Sequence, residues 1–334
     1  MSEPVVLSGL RPTGRIHLGN YFGAVKNWVD LQNSGKYRCF FFVADLHALT
    51  TDYANTAALA TYTREAVLDW LAVGLDPEKA TVFLQSRVPQ HAELALYFSM
   101  ITPLGWLERV PTYKDQIEAL RSRDLATHGF LGYPVLMTAD IAIYRANLVP
   151  VGEDQASHLE VCREIVRRFN GLYGPVFPEP KALYTPTPKI NGVDARKMSK
   201  SYDNTIGVTE SAAGVAEKVM AMVTDPARVR RQDPGNPDNC NLFPFHLLYS
   251  PPDEVAVVDR ECRTAARGCV DCKRHLISNM NRALEPFRQK RAEILASSRD
   301  VVRDLLHAGD GKARTVAEET MEKVREAVRL SPEP

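Results

Sequence analysis

The sequence predicts an α/β fold, a parallel sheet covered by helices on both faces and followed by a more helical C-terminal region. Three observations carry that expectation. Short apolar runs recur early in the chain, at Val5-Val6-Leu7, Cys39 to Ala44 and Thr81 to Leu84. Apolar residues at helical spacing fill the intervals, and turn signals close the runs. Short strands alternating with helices of this length build a parallel sheet with right-handed crossovers.

Val5-Val6-Leu7 ends at Ser8-Gly9, which reads as a buried strand meeting a turn. A loop carrying Gly14 and Gly19 then enters a helix with Tyr21, Val25, Trp28, Val29 and Gln32 on one face. Cys39 to Ala44, rich in aromatic side chains, is the second buried strand. From Thr56 to Leu71 the helical spacing of Leu59, Tyr62, Val67, Trp70 and Leu71 predicts a helix that stops near Gly74. Asp76-Pro77 punctuates the chain before the third strand. Residues 175 to 190 carry many prolines and read as an ordered connecting segment, and beyond Met220 helical periodicity dominates to the end. No internal repeat or low-complexity tract interrupts this order. Ligands of open parallel sheets bind at the carboxyl ends of strands, where the strand order reverses. The segments expected to matter are therefore Ser8-Gly9 with its loop, Asp45 to His47, and Gln85-Ser86.

Composition narrows the class. The 334 residues include 41 basic and 41 acidic side chains, with 45% apolar and 25% charged residues, the mixture of an ordinary soluble globular protein. Disorder, collagen-like repeats and a bulk polybasic binder are excluded. The length suggests two domains, or one large domain with an appendage. The longest purely apolar run, Cys39 to Ala44, is too short to span a bilayer. Met1-Ser2-Glu3-Pro4 lacks the basic flank and apolar region of a secretion signal, and six cysteines without one read as thiols in a reducing compartment. A cytoplasmic protein with no membrane partner is expected.

Two loops carry candidate chemistry. Gly14-Arg15-Ile16-His17-Leu18-Gly19-Asn20 lies between the first strand and a helix. Glycines there let backbone approach a phosphate, and a helix N-terminus offers unpaired N–H groups to an anion. His17 and Asn20 would project together and bind phosphate oxygens without a buried fixed charge. The competing reading is a plain helical turn with a solvated histidine and an asparagine cap. Lys197-Met198-Ser199-Lys200-Ser201 follows a turn at Asn191-Gly192. Two lysines three apart suit a loop that closes over a polyphosphate and meets the charge developing on a leaving group. A solvated basic loop is the alternative there.

Cys240, Cys262, Cys269 and Cys272 form C-x21-C-x6-C-x2-C, with Cys39 and Cys162 outside the set. Four clustered thiols suit Zn2+ or an iron–sulfur cluster, and reduced structural thiols are the third possibility. The same region is basic. Arg260 to Arg291 holds nine basic residues against three acidic ones, and Arg228, Arg230 and Arg231 precede it. Zero net charge thus divides into an acidic-leaning body and a basic, cysteine-bearing region suited to phosphate contact.

His17-Leu18-Gly19-Asn20 and Lys197-Met198-Ser199-Lys200-Ser201 resemble, in order, the "HIGH" and "KMSKS" motifs of class I aminoacyl-tRNA synthetases, with Asn20 in place of the second histidine. Four further segments resemble the tryptophanyl-tRNA synthetases: Ser8 to Gly14, Asp45-Leu46-His47-Ala48, Tyr133 to Asp140, and Val149 to Gln155. The C-terminal part resembles that family too. The resemblance implies a Rossmann-like catalytic domain over residues 1–203 and a helical anticodon-binding domain over 204–296, with the C-terminal helix of 297–334 packing back on the first. It implies activation of L-tryptophan with ATP to tryptophanyl-adenylate, transfer to tRNA(Trp), and a homodimer.

Position by position, the resemblance assigns catalysis to His17, Asn20, Lys197 and Lys200. It assigns ATP contacts to Gly9, Arg11, His17, Gly19, Asn20, Gly152, Asp154, Met198 and Ser199, with Mg2+ sharing the pyrophosphate charge. Arg11 stands where many relatives have glutamine. Leu7, His47, Tyr133, Met137, Asp140, Val149, Val151 and Gln155 would form the tryptophan pocket, with Asp140 accepting from the indole N–H, a group that can only donate. A subset of bacterial members carries a [4Fe–4S] cluster on nearly this cysteine pattern, so the resemblance favours that cluster over Zn2+. The rival readings are a tyrosyl-tRNA synthetase, a small-molecule nucleotidyltransferase, and a metal-cluster RNA-binding module with a degenerate catalytic domain.

Overall fold

The structure, a computed structural model, describes residues 3–110, 113, 126–152, 156–184 and 190–330. Strands β1 (Val5–Leu10), β2 (Arg38–Val43), β3 (Ala80–Leu84), β4 (Leu148–Val151) and β5 (Lys181–Tyr184) form one sheet in the order β3-β2-β1-β4-β5. Every pairing in it is parallel. The longer helices of the first half are α1 (Lys26–Asn33), α2 (Asp45–Asp52), α3 (Leu59–Ala72), α4 (Gln90–Ile101), α5 (Tyr133–Ile143) and α6 (Ala156–Tyr173). After the sheet come α7 (Ala212–Ala221), α8 (Phe243–Tyr249), α9 (Pro252–Arg263), α10 (Cys269–Leu295) and α11 (Val301–Ala327).

The strands read as unbroken apolar runs because both sheet faces are buried. Val6, Phe41, Val43 and Val82 point into one core, while Leu7, Phe40, Phe42, Phe83 and Val149 point into the other. In the first core Trp28 of α1 stacks on Phe41 at 4.9 Å and meets Trp70 of α3 edge-on at 5.1 Å. Such ring pairs add about 0.5–1.5 kcal/mol each beyond the area they bury. Leu276, Met280 and Leu284 of α10 extend this core, and α10 lies against α3 and α7. The second core holds α4, α5 and α6.

Helix α11 returns to the sheet along β3 and brings Ala313, Ala317 and Met321 into the second core. Its Gly309 is required by contact: a Cβ there would sit 1.7 Å from the carbonyl oxygen of Val82. The neighbouring Asp310 accepts the N–H of Leu84 at 2.9 Å. A helix and a carboxylate thereby cover the edge of the sheet.

Two local expectations need correction. Tyr62 shares the spacing of the apolar face of α3 but is 44% exposed, its ring turned toward Gly14. Residues 175 to 190 are more than a connection, since Lys181–Tyr184 is an edge strand paired with β4. Four residues flanked by prolines give too short a pattern to read as a strand. Among the described residues no helix is long and apolar enough to cross a membrane.

Candidate functional site

The strand order reverses between β1 and β4, so the carboxyl ends of these strands bound the crevice in which such sheets bind ligands. Gly9, near the end of β1, has no alternative there: a Cβ would lie 2.4 Å from the Phe42 ring. Beyond it His17 begins a short helical turn and caps it. His17 Nδ1 accepts the N–H of Asn20 at 3.2 Å, and Asn20 Oδ1 accepts the N–H of His17 at 3.3 Å. This is a reciprocal capping box, with histidine in the place usually held by serine or threonine.

The expectation of unpaired N–H groups at this turn is not met. Leu18 N–H donates to the Ile206 carbonyl at 2.9 Å, and Gly19 N–H to the Met198 sulfur at 3.4 Å. Val208 N–H in turn donates to the Ile16 carbonyl at 3.1 Å. The segment following the lysine loop therefore docks on the histidine turn and takes up its donors. His17 is buried at 9% exposure rather than solvated. Burial first, and then the nearby Lys200 charge, depress its pKa to about 4. It is a neutral hydrogen-bonding group at physiological pH.

Asn204, 1% exposed, organises the lysine loop from beneath. Its Oδ1 accepts the Ser199 N–H at 2.8 Å, and its Nδ2 donates to Asp194 at 2.7 Å and to the Lys197 carbonyl at 3.1 Å. Lys200 points back to donate to the Thr13 carbonyl. Burial lowers its pKa to about 8, although the charge of Asp69 pulls the other way. The Lys197 side chain is exposed. His17, Gly19, Met198 and Lys200 are thus brought together, with Asn20 and Ser199 beside them. Arg11, just past β1, donates to Thr51 at 3.1 Å. Gly152 follows β4 and is exposed, while Asp154 and Gln155 lie outside the described residues.

The pocket residues line the second sheet face. Leu7, Val149, Val151 and Met137 pack into one core cluster beside α5. Within it Asp140 is 2% exposed and so is no surface carboxylate. Its Oδ1 accepts Gln85 Nε2 at 2.7 Å and His91 Nδ1 at 2.6 Å, and its Oδ2 pairs with His47 Nε2 at 2.8 Å. Burial pushes this carboxyl up, but the hydrogen bonds from His47 and His91 outweigh it, and the pKa falls below the usual value. His91 Nε2 pairs with the Tyr144 hydroxyl at 2.8 Å, which extends the network through the core. Tyr133 bonds to His158 and packs edge-on against its ring.

Several of these groups are missing from the sequence expectation. Gln85 is not one of them, since it lies in Gln85-Ser86, a strand-end segment expected to matter. His91, Asn204 and His158 carry no motif, and their importance comes from burial.

The four cysteines converge from three places. Cys240 follows a short helical turn, Cys262 lies near the end of α9, and Cys269 and Cys272 open α10. Burial, then the charges of the other three thiols, raise the Cys272 pKa to about 12, and Cys262 is raised in the same way by burial and by Cys240 and Cys269. Cys272 Sγ lies 3.3 Å from His246 Nε2, and Arg228 reaches Cys269 Sγ at 3.8 Å. Among the described residues no group of three or more His, Cys, Asp or Glu is arranged to hold a metal ion. The cysteines are neighbours, without a closed ligand sphere among the described residues. The basic stretch is also partly internal. Arg291 is 9% exposed, and Arg288 donates to the Glu210 carbonyl at 2.6 Å, whereas Arg260, Arg274 and Arg282 are exposed.

Sheet, switch point and paired loops are those of a nucleotide-binding α/β domain with a helical extension. The family model for class I tRNA synthetases (W and Y) matches residues 1–285. The chain is 52% identical to the tryptophan–tRNA ligase of Thermotoga maritima over 97% of its length and 99% of that protein. It is 43% identical to the tryptophan–tRNA ligase of Aquifex aeolicus, again over 97% and 99%. Its fold superposes on the tryptophanyl-tRNA synthetase of Campylobacter jejuni complexed with ADP and tryptophan, with a TM-score of 0.86, 34% identity and coverage of 97% and 99%. The chain belongs to the class I tRNA synthetases and, within them, to the tryptophan–tRNA ligase family.

Proposed function

We propose that this protein activates L-tryptophan with ATP, releasing pyrophosphate, and transfers the tryptophanyl group to the 3′-terminal adenosine of tRNA(Trp). The observation that carries the choice of amino acid is the Asp140 carboxylate. Among the described residues Oδ1 has two donors and Oδ2 has one, which leaves an acceptor site on Oδ2 for an indole N–H. A phenyl side chain would leave that site desolvated and unpaired. A tyrosine site needs partners for a hydroxyl, so this arrangement favours tryptophan. Met137, Leu7, Val149 and Val151 supply the apolar walls, His47 the rim, and Tyr133 and Gln155 the ends that hold the ammonium and carboxylate.

In the first step the tryptophan carboxylate attacks the α-phosphorus and the bond to the pyrophosphate oxygen breaks. No covalent enzyme intermediate is needed, so the protein supplies position and charge. His17 and Asn20 hold phosphate oxygens, which requires their mutual capping bonds to open, and Gly9, Arg11, Gly19, Gly152, Asp154, Met198 and Ser199 seat the nucleotide. Lys197 and Lys200 meet the charge on the departing pyrophosphate, and Mg2+ adds to that neutralisation when bound. Charging assays with tRNA(Trp) and each of the two amino acids test the reading. Tryptophanyl-tRNA is the expected product, and tyrosyl-tRNA in its place would overturn it.

Residues 1–203 form the catalytic unit in this reading, and 204–296 the anticodon-binding unit. The exposed Arg260, Arg274 and Arg282 suit phosphate contact. The four cysteines would hold a [4Fe–4S] cluster, with Zn2+ as the alternative. Deprotonated cysteine sulfurs are the ligands that such soft-ligand centres select, and the group would staple the loop before α8 to α9 and α10. Leu96 and Met100 on α4, with Leu104 just beyond it, are 58%, 70% and 62% exposed, and this apolar row suits the interface of a homodimer.

A further inference from the structure

Asp69 of α3 is fully buried and joins four parts of the chain. Its Oδ2 accepts the N–H of Ile16, the residue before His17, at 2.9 Å. Its Oδ1 accepts from Thr209 Oγ1 and from Arg291 Nη1, both at 2.7 Å. Thr209 belongs to the segment that docks on the histidine turn, and it also accepts from Arg15 at 2.6 Å. Arg291, on α10, holds Glu65 with its other nitrogen at 2.6 Å. The negative charge of Asp69 is felt by Lys200 as well.

One carboxylate therefore fixes the backbone entering the histidine turn and the segment leaving the lysine loop. The cation that compensates it comes from the long helix whose first turn carries Cys269 and Cys272. A buried carboxylate without its cation is strongly unfavourable, so the three bonds at Asp69 stand or fall with the seat of Arg291. We infer that Asp69 is a positioning residue for the ATP step, and that Arg291 makes the placement of both phosphate-handling loops depend on the seat of α10. The inference rests on the reading that His17 and Lys200 handle the ATP phosphates. A purely structural ion pair would hold the fold together and leave the kinetics of the folded enzyme alone.

The experiment uses the full chain with Arg291→Met, Arg291→Lys and the milder Thr209→Val. Pyrophosphate exchange gives KM for ATP and for tryptophan, thermal denaturation gives Tm, and calorimetry gives the affinity for a non-hydrolysable ATP analogue. Small displacements of positioned groups can cost up to about a hundredfold in rate, so Arg291→Met is expected to lower kcat/KM for ATP by about tenfold or more. KM for tryptophan should stay within about twofold and Arg291→Lys should recover part of the loss, because this cation is tied through Asp69 to the ATP loops. If Arg291→Met does not fold, Thr209→Val, which removes one bond at the same oxygen, carries the test with a smaller loss of the same kind. A fall in Tm with ATP parameters unchanged, or ATP and tryptophan parameters moving together, would overturn the inference. Absence of exchange in the unaltered protein would sink the activation reading instead, and analogue affinity across the variants would still decide the positioning.

Discussion

At Asp140 a carboxylate is kept ionised inside a hydrophobic core by three donors among the described residues, and in the proposed function the choice of substrate follows from where those donors sit. Gln85 and His91 hold Oδ1, and His47 leaves half of Oδ2 open. Asp140→Asn removes the charged acceptor while keeping the shape. A hydrogen bond to a charged group contributes about 1.5–3 kcal/mol, so KM for tryptophan is expected to rise about tenfold or more. KM for ATP should be nearly unchanged, and an unaltered tryptophan KM would refute the assignment. Replacing His91 with phenylalanine should shift the same constant in the same direction, since it strips one donor from Oδ1. In the proposed mechanism His17 and Lys200 set the pH response. Lys200, at about 8, loses its charge as pH rises through that value in the free protein, so kcat/KM for ATP should fall above it. Bound phosphates favour the charged lysine, so kcat should fall less. His17, at about 4, is already neutral at its ordinary pKa of 6.5 and adds no inflection there. A rise in kcat/KM on the alkaline side would contradict this order.

Among the elements, β1 to β3 and their helices were legible because each is a strong local pattern, an unbroken apolar run or a clean helical spacing. β5 was not, because four residues between prolines have no period. The histidine turn shows a subtler limit. Its residue types were readable as phosphate ligands, but its N–H groups are taken by Ile206 and Met198, which are far away in sequence. No local pattern encodes such pairing. The same holds for Asn204, whose value lies in three bonds to a loop it follows. The seat of α11 can be tested directly. Gly309→Ala puts a methyl group into the Val82 backbone and should destabilise the protein by about 1–3 kcal/mol. Gly311 has nothing within 4 Å of a built Cβ, so its change to alanine should leave Tm level or raise it. Equal Tm values for the two variants would contradict the packing of α11 on β3.

Across the whole molecule, the sheet and the helical extension share a continuous core through α10, and charge is unevenly distributed over the two. Composition balances to zero, and only the regional count reveals the basic stretch around the cysteines. Even that count overstates the surface charge, because Arg291 is an internal bond and Arg288 is tied to backbone. Burial of this kind is invisible to a tally of side chains. The cysteine spacing alone suggested a ligand set, but among the described residues no three such groups are arranged to hold a metal ion, and the proposed cluster is a matter for analysis. Anaerobic purification followed by metal and sulfide analysis should give iron and acid-labile sulfide together, and zinc without iron would contradict the cluster. The most direct test of the whole reading is ATP–pyrophosphate exchange measured with each aromatic amino acid in turn. Exchange should depend on tryptophan and stay at background with tyrosine or phenylalanine, whereas exchange supported by tyrosine alone would contradict it.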